Sequence, residues 1–257
     1  MATLECRSVY LEYALMDAPL RALEDVSVRV EDRQFVSILG PSGCGKSSLL
    51  NIVAGFIRPT RGQVLVGGSE VAGPGRDRGI VFQEHALFPW MTVRGNIEFG
   101  LKACHVPKPE RDRKVEELID LVGLSGFEDA FPKQLSGGMR QRVAVSRAFA
   151  TDPDVVLLDE PFSALDEQSR QRIQREFVRI CQATQQTVLM VTHSVEESVL
   201  MSDRVVVMAP RPGRIRATVD IDLARPRDDT SPQFIEKRRQ IGALLYDRPD
   251  SVEDGAR

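Results

Sequence analysis

Eight consecutive residues, Gly40-Pro41-Ser42-Gly43-Cys44-Gly45-Lys46-Ser47, fit the pattern G-x-x-x-x-G-K-[ST], with Gly40, Gly45, Lys46 and Ser47 at its fixed places. These residue types at this spacing suit a nucleoside triphosphate. Glycines let successive backbone N–H groups curl toward one anion, and a helix starting at the loop adds the positive end of its dipole. The lysine then reaches the β- and γ-phosphates while the serine hydroxyl ligates Mg²⁺. The flanks agree with this chemistry, since residues 35–39 read as a buried strand and residues 48–54 as a helix. A Gly-rich turn that matched by accident would not need strand–loop–helix context.

A second cluster of chemistry closes the run Asp154-Val155-Val156-Leu157-Leu158-Asp159-Glu160. Its apolar stretch fits a strand buried on both faces of a parallel sheet. In a phosphate-loop protein an acid at such a strand end holds Mg²⁺, directly or through water. Asp159 is therefore the expected metal-side carboxylate, and Glu160 is expected to point at the water that attacks the γ-phosphate. Thr187–Thr192 reads as another buried strand, ending at His193. A lone histidine is more often structural, but the carboxyl ends of strands are where ligands gather in open α/β sheets.

Three further features bear on binding. Leu135-Ser136-Gly137-Gly138-Met139-Arg140-Gln141 precedes apolar residues at helical spacing, and Ser136 suits the N-cap. This is a second helix start opened by glycines, hence a second candidate anion site, although Ser-Gly-Gly also serves plain turns. An aromatic in the Tyr10–Tyr13 stretch is placed to stack on a base, an interaction of about 1–3 kcal/mol. Composition does not choose between Tyr13 and Tyr10, and an ordinary strand aromatic is the alternative. Gln83 ends the apparent strand at 79–83 and is either ligand-facing or simply solvated. Cys44 lies inside the phosphate loop, so its alkylation is one route to blocking nucleotide; the favoured reading for native function is a filler position.

The elements that must position these residues follow from periodicity. Residues 1–30 alternate apolar and polar positions, as in antiparallel strands with one buried face, with Tyr10–Tyr13 between them. A turn at 58–62 precedes a strand at 63–66, and Gly73-Pro74-Gly75 makes a second break. From about 90 to 150 the texture is helical, with helices expected at 93–101 and 110–121. An amphipathic helix is expected at 166–184, and a hairpin around Pro210–Gly213 pairs 205–208 with 215–219. The tail beyond Arg225 is mixed in charge with one helical stretch near 233–245, and reads as a surface extension.

Composition sets outer bounds. The chain has 257 residues, 42% of them hydrophobic, enough for one large or two small domains with a real core. A net charge of −3 argues against binding nucleic acid through a basic surface. Cys6, Cys44, Cys104 and Cys181 show no C-x-x-C spacing and read as reduced thiols. No apolar run approaches the roughly 20 residues of a membrane span, and the N-terminus lacks a signal-peptide pattern. Work at a membrane is expected from the cytoplasmic side, through a partner.

With these residues in view, the chain resembles the nucleotide-binding subunits of ABC transporters over nearly its full length. Leu135–Gln141 is similar to the family's signature, departing from its commonest form at Met139, and Ser163-Ala164-Leu165-Asp166 to the loop after its Walker B strand. Gln83 falls at the Q-loop, His193 at the switch histidine and Tyr13 at the aromatic that packs on adenine. The resemblance implies an α/β fold: a P-loop NTPase core with a mainly parallel sheet, an N-terminal antiparallel β subdomain and an inserted α-helical subdomain. It implies a single ATPase domain over 1–257. Residues 1–89 and 151–225 would form the core, 90–150 the helical subdomain and 226–257 a C-terminal extension.

The same resemblance implies ATP and Mg²⁺, and a sandwich dimer in which each ATP meets the Walker residues of one subunit and the signature of the other. Catalysis would fall to Glu160, His193, Lys46 and Gln83, and metal binding to Ser47, Gln83 and Asp159. Nucleotide contacts would come from Tyr13, Gly40, Pro41, Ser42, Gly43, Cys44, Gly45, Lys46, Ser47 and Ser48. The signature side would add Ser136, Gly137, Gly138 and Gln141, with Asp166 linking the two sites. The expected partners are a second copy or a homologous ATPase subunit, transmembrane permease subunits and, indirectly, a solute-binding protein, with no nucleic acid.

Within the family, residues 73–83 and 87–93, the Pro89-Trp90 pair above all, look like the nitrate, sulfonate and taurine importers, as does the short tail. Trp90 is either an exposed anchor for the permease or a core residue of the helical part. An ABC-type ATPase acting on nucleic acid or ribosomes is the alternative class; such proteins carry paired cassettes or coiled-coil insertions that this chain lacks. A small-molecule kinase or GTPase leaves the Ser136 helix without a role.

Overall fold

The computed structural model describes residues 2–14, 19–84, 86–163 and 165–246. Ala164, in the expected loop after the acidic strand, and the tail beyond 246 lie outside the described residues.

Two sheets carry the fold. The antiparallel one is ordered β2-β1-β4-β5, with β1 at Leu4–Tyr13, β2 at Leu20–Val30, β4 at Arg61–Val66 and the short β5 at Ser69–Glu70. The larger is ordered β10-β9-β3-β8-β7-β6: β3 Phe35–Leu39, β6 Arg78–Val81, β7 Val155–Asp159, β8 Thr187–Thr192, β9 Arg204–Ala209 and β10 Arg214–Asp220. All its pairings are parallel except the edge hairpin of β9 and β10.

Alternate residues of the parallel strands enter two different apolar cores. Val156 and Leu158, Val188 and Met190, Val205 and Val207 pack on one face with the helices α2 (Val93–Ala103), α3 (Lys108–Leu121), α4 (Gly137–Phe149) and α5 (Glu167–Thr184). Val155 and Leu157, Leu189 and Val191, Val206 and Met208 pack on the other with α1 (Lys46–Ala54) and the antiparallel sheet. A strand residue points to opposite faces in turn. Covering both faces therefore converts the usual alternation into the continuous apolar runs seen in the sequence.

Element boundaries differ from the sequence reading where a functional residue begins or ends an element. The first helix starts at Lys46, two residues early, because Gly45 sits at its N-cap with φ 96°, a left-handed state a side chain would oppose. Tyr10 and Tyr13 lie inside β1, not between strands. Strand β6 ends at Val81, so Gln83 stands in the following turn, exposed.

The tail is the larger correction. It is not a surface extension: helix α7 (Pro232–Tyr246) buries Phe234 and Ile241 completely, one seven-residue repeat apart on a helix otherwise rich in charge. Arg227 is also buried, donating to the carbonyls of Val199 (2.6 Å), Ser202 (2.6 Å), Leu223 (3.0 Å) and Ile221 (3.3 Å). Two of these acceptors belong to the C-terminal turn of α6 (Val195–Met201), whose last carbonyls have no partner within the helix. Burial pushes this guanidinium down to about 10, and the carbonyl fork offsets that cost. Arg227→Ala is expected to lower the urea unfolding free energy by about 2–4 kcal/mol, because it strands several buried acceptors; Arg227→Lys, with a point charge in place of the fork, should recover only part.

Candidate active site

Strands β3, β8 and β7 are adjacent and parallel, with Leu39 opposite Thr192 and Asp159 opposite Val191. The phosphate loop, His193 and the Asp159-Glu160 pair therefore leave the sheet side by side at its carboxyl edge. Three segments distant in sequence meet because their strands share a register.

The loop folds over its own lysine. Lys46 is buried, and its ammonium donates to Gly40 O at 2.8 Å and Pro41 O at 3.2 Å, 3.8 Å from Glu160 Oε1. Ser47 Oγ donates to Asp159 Oδ1 at 3.2 Å. Tyr13 and Ser48 share a hydroxyl–hydroxyl hydrogen bond of 3.1 Å. A cleft of about 810 Å³ opens over the loop, lined by Tyr13, Ser42, Gly43, Gly45, Lys46, Ser47, Ser48 and Glu160. This separates Tyr13, which lines the cleft, from Tyr10, which does not.

Glu160 takes a left-handed backbone (φ 42°), a state costing an L-residue about 1–2 kcal/mol. Its surroundings hold it there. Its N–H donates to Val191 O at 3.0 Å, and its carbonyl accepts from Ser163 Oγ at 2.9 Å. The carboxylate meets His193 Nδ1 at 2.9 Å, which puts the imidazole proton on Nδ1 when Glu160 is ionised. This pair is a general-base arrangement beside a loop built for phosphate.

The residues present suit a magnesium ion. Ser47 Oγ and Asp159 Oδ1 are neighbouring oxygen donors, and burial pushes the Asp159 carboxyl up, so a cation beside it would favour its charged form. Among the described residues no three His, Cys, Asp or Glu form a metal cage. That suits Mg²⁺, which uses one or two protein ligands and completes its shell with phosphate and water.

The second candidate anion site lies elsewhere. Ser136 caps α4, accepting from Met139 N–H at 3.3 Å, and is exposed. Neither it nor Gly137 nor Gly138 lines the cleft over the phosphate loop. A Cβ on Gly138 would meet Ile173 Cδ1 at 2.7 Å, so packing within the chain accounts for that glycine. Gly137 has no neighbour closer than 3.6 Å to such a Cβ, so packing within the chain does not require a glycine there. Asp166 is exposed just before α5.

Two side chains singled out in the sequence are buried. Gln141 is fully buried, on the face of α4 that also buries Ala144, Val145 and Ala148. Cys44 is buried as well, its sulfur packed against the loop backbone at Gly40, and burial pushes its thiol up. Burial of the thiol agrees with the filler reading.

Sequence reasoning missed two buried polar residues. Glu197 accepts from Thr192 Oγ1 (2.6 Å) and Gln174 Nε2 (3.0 Å), tying α5 to the turn that carries His193. Its signal was Ser194-Val195-Glu196-Glu197, a capping-box pattern in which Ser194 Oγ accepts from Glu197 N–H at 3.2 Å. Asn96 is buried and holds residues 88–92, accepting from Phe88 N–H (2.8 Å) and donating to Phe88 O, Met91 O and Thr92 O. The segment thus braced presents Trp90 at 70% exposure, beside Phe88 and the exposed Phe99. Trp90 is a surface residue, not a core one.

Comparison with known proteins places this geometry. The family model described as ABC transporter matches residues 23–163, more than half the chain. An uncharacterized ABC transporter ATP-binding protein of Methanocaldococcus jannaschii is 53% identical over 89% of this chain and 85% of its own length. Taurine import ATP-binding proteins of Roseobacter denitrificans and Rhizobium johnstonii are 43% and 46% identical, covering 92% and 90% of this chain and 91% of each relative. An ATP-binding cassette solved as a dimer in a post-hydrolysis state with ADP and Pi superposes with a TM-score of 0.75 at 29% identity, over 86% of this chain and all of that one. The chain belongs to the ABC transporter family, as an ATP-binding cassette ATPase.

Proposed function

We propose that this chain is the ATP-hydrolysing subunit of an importer for a small anion or sulfonate-type solute, working at the cytoplasmic face of a membrane through a separate permease. The observation that carries the ATPase reading is the convergence of Lys46, Ser47, Asp159, Glu160 and His193 at one sheet edge. Import and the solute class rest on the relatives named for taurine import and on the Pro89-Trp90 likeness. Among the described residues no helix is long and apolar enough to cross a membrane, and in this reading a separate permease supplies the path.

In this reading, the loop N–H groups and Lys46 bind the phosphates, and Tyr13 packs on the base. Lys46 exchanges the Gly40 and Pro41 carbonyls for phosphate oxygens, carrying its charge to where negative charge develops. Ser47 and Asp159, with Gln83 from the adjoining turn, would hold Mg²⁺, which neutralises phosphate charge when bound. Glu160 accepts the proton of the attacking water, and His193 orients that carboxylate and contacts the γ-phosphate. The site is half of a composite one. Ser136, Gly137 and Gly138 of a second subunit close the nucleotide, using an exposed helix start that has no role in its own cleft. Asp166 links the two halves.

Glu160→Gln is expected to reduce kcat by at least about 100-fold while ATP affinity stays within a few-fold, and to accumulate an ATP-bound dimer in size-exclusion chromatography. Hydrolysis at the normal rate would remove Glu160 from this role. Subunits carrying Lys46→Ala, mixed with subunits carrying Ser136→Ala, place one site free of both lesions in each mixed dimer. Recovered ATPase activity supports action in trans, and none recovered at full mixing argues against it.

Trp90→Ala should leave the ATPase of the isolated subunit unchanged but weaken its co-purification with the permease, by tenfold or more if Trp90 is an interface anchor of about 2 kcal/mol. Uptake assays with the permease and a panel of sulfonates and nitrate would fix the solute.

A further inference from the structure

The nucleotide cleft has a wall that none of the sequence motifs supplies. Arg211 and Pro212, from the turn between β9 and β10, line it together with Ser42, Gly43 and Gly45. This turn is fastened to the site rather than hanging over it. Gly213 N–H donates to Ala22 O at 3.0 Å, and Glu24 N–H donates to Gly213 O at 2.9 Å, stitching the turn to β2. A Cβ at Gly213 would overlap the carbonyl oxygen of Cys44, so the turn rests directly on the backbone of the phosphate loop. Two residues away, Arg211 is exposed and holds a left-handed backbone, φ 55°.

Charge bookkeeping singles out Arg211 among the cations around the mouth. Arg21 donates to Glu12 at 2.9 Å and stands 3.5 Å from Glu24, and Arg214 is 2.7 Å from Glu24. Lys46 has Glu160 beside it. No carboxylate among the described residues pairs with Arg211. A triphosphate brings several negative charges into a cleft whose other cations are already partly neutralised, and a guanidinium suits phosphate oxygens through charge-assisted hydrogen bonds. Arg211 shares the cleft lining with Ser42, Gly43 and Gly45, and its turn touches the phosphate loop at Cys44.

We infer that Arg211 is a second phosphate-directed cation of the nucleotide cleft, supplied by the β9–β10 turn and selecting for polyphosphate over the bare nucleoside. The inference rests on the nucleotide reading of the cleft given above.

The test is calorimetric titration of full-length protein on the Glu160→Gln background, with ATP, ADP and adenosine. Arg211→Ala should weaken ATP about three- to tenfold, weaken ADP less, and leave adenosine within twofold. Arg211→Lys should restore part of the loss, Arg211→Glu should deepen it, and the difference should shrink as salt is raised. Unchanged ATP affinity in Arg211→Ala and Arg211→Glu overturns the inference. So does an equal loss for adenosine, which would make Arg211 a base contact. Unchanged ATP affinity with a weakened ATP-dependent dimer would overturn it too, making Arg211 a partner contact. Lys46→Ala serves as the reference: if it binds ATP normally, the nucleotide reading itself fails, a result separable from any change at Arg211.

Discussion

Burial of the parallel strands on both faces is the constraint from which the rest of this structure follows. Strands β3, β7, β8 and β9 have apolar cores above and below, so a slip in register would expose apolar side chains and misplace every buried contact at once. The same register brings Leu39, Asp159 and Thr192 to one edge. The candidate site residues sit just beyond that edge, where the backbone leaves the sheet and its polar groups become available. Stability and site geometry are thus two consequences of one packing arrangement.

Irregular backbone at that edge has to be held by something other than a ladder. The fold uses buried polar side chains for this. Lys46 binds the carbonyls at the start of its own loop, Glu197 anchors the His193 turn, Asn96 braces the segment carrying Trp90, and Arg227 terminates α6. Each is costly to bury alone and is matched by two or more hydrogen bonds, so each acts as a rigid bracket rather than as a source of net stability. The helix α7 and Arg227 lie far along the chain from the phosphate loop, yet they close the core against which the site-bearing strands pack.

The phosphate loop, Glu160 and Tyr13 share one cleft, while the exposed, serine-capped start of α4 does not line it. If nucleotide joins one to the other across two subunits, then occupancy and association are a single equilibrium. Asn96 on α2 braces an aromatic surface at Phe88, Trp90 and Phe99, which is where the proposed permease contact would sense such a change.

The phosphate loop, the acidic strand end, His193, the Ser136 cap and the buried parallel strands were all legible in the order of residues. All are local patterns, in which adjacent residue types dictate backbone conformation or periodicity. Boundaries were less legible, because Gly45 starts a helix early and β6 stops short of Gln83 for reasons of turn geometry. Features that depend on contacts between distant segments emerged only in the folded chain: Tyr13 rather than Tyr10 in the cleft, the burial of Gln141 and Cys44, the exposure of Trp90, and the burial of Arg227 and Glu197. A charged or polar residue looks alike in sequence whether it meets water or a buried carbonyl. The difference lies in partners 28 and 25 residues away for Arg227 and 23 for Glu197, which only the folded chain brings together.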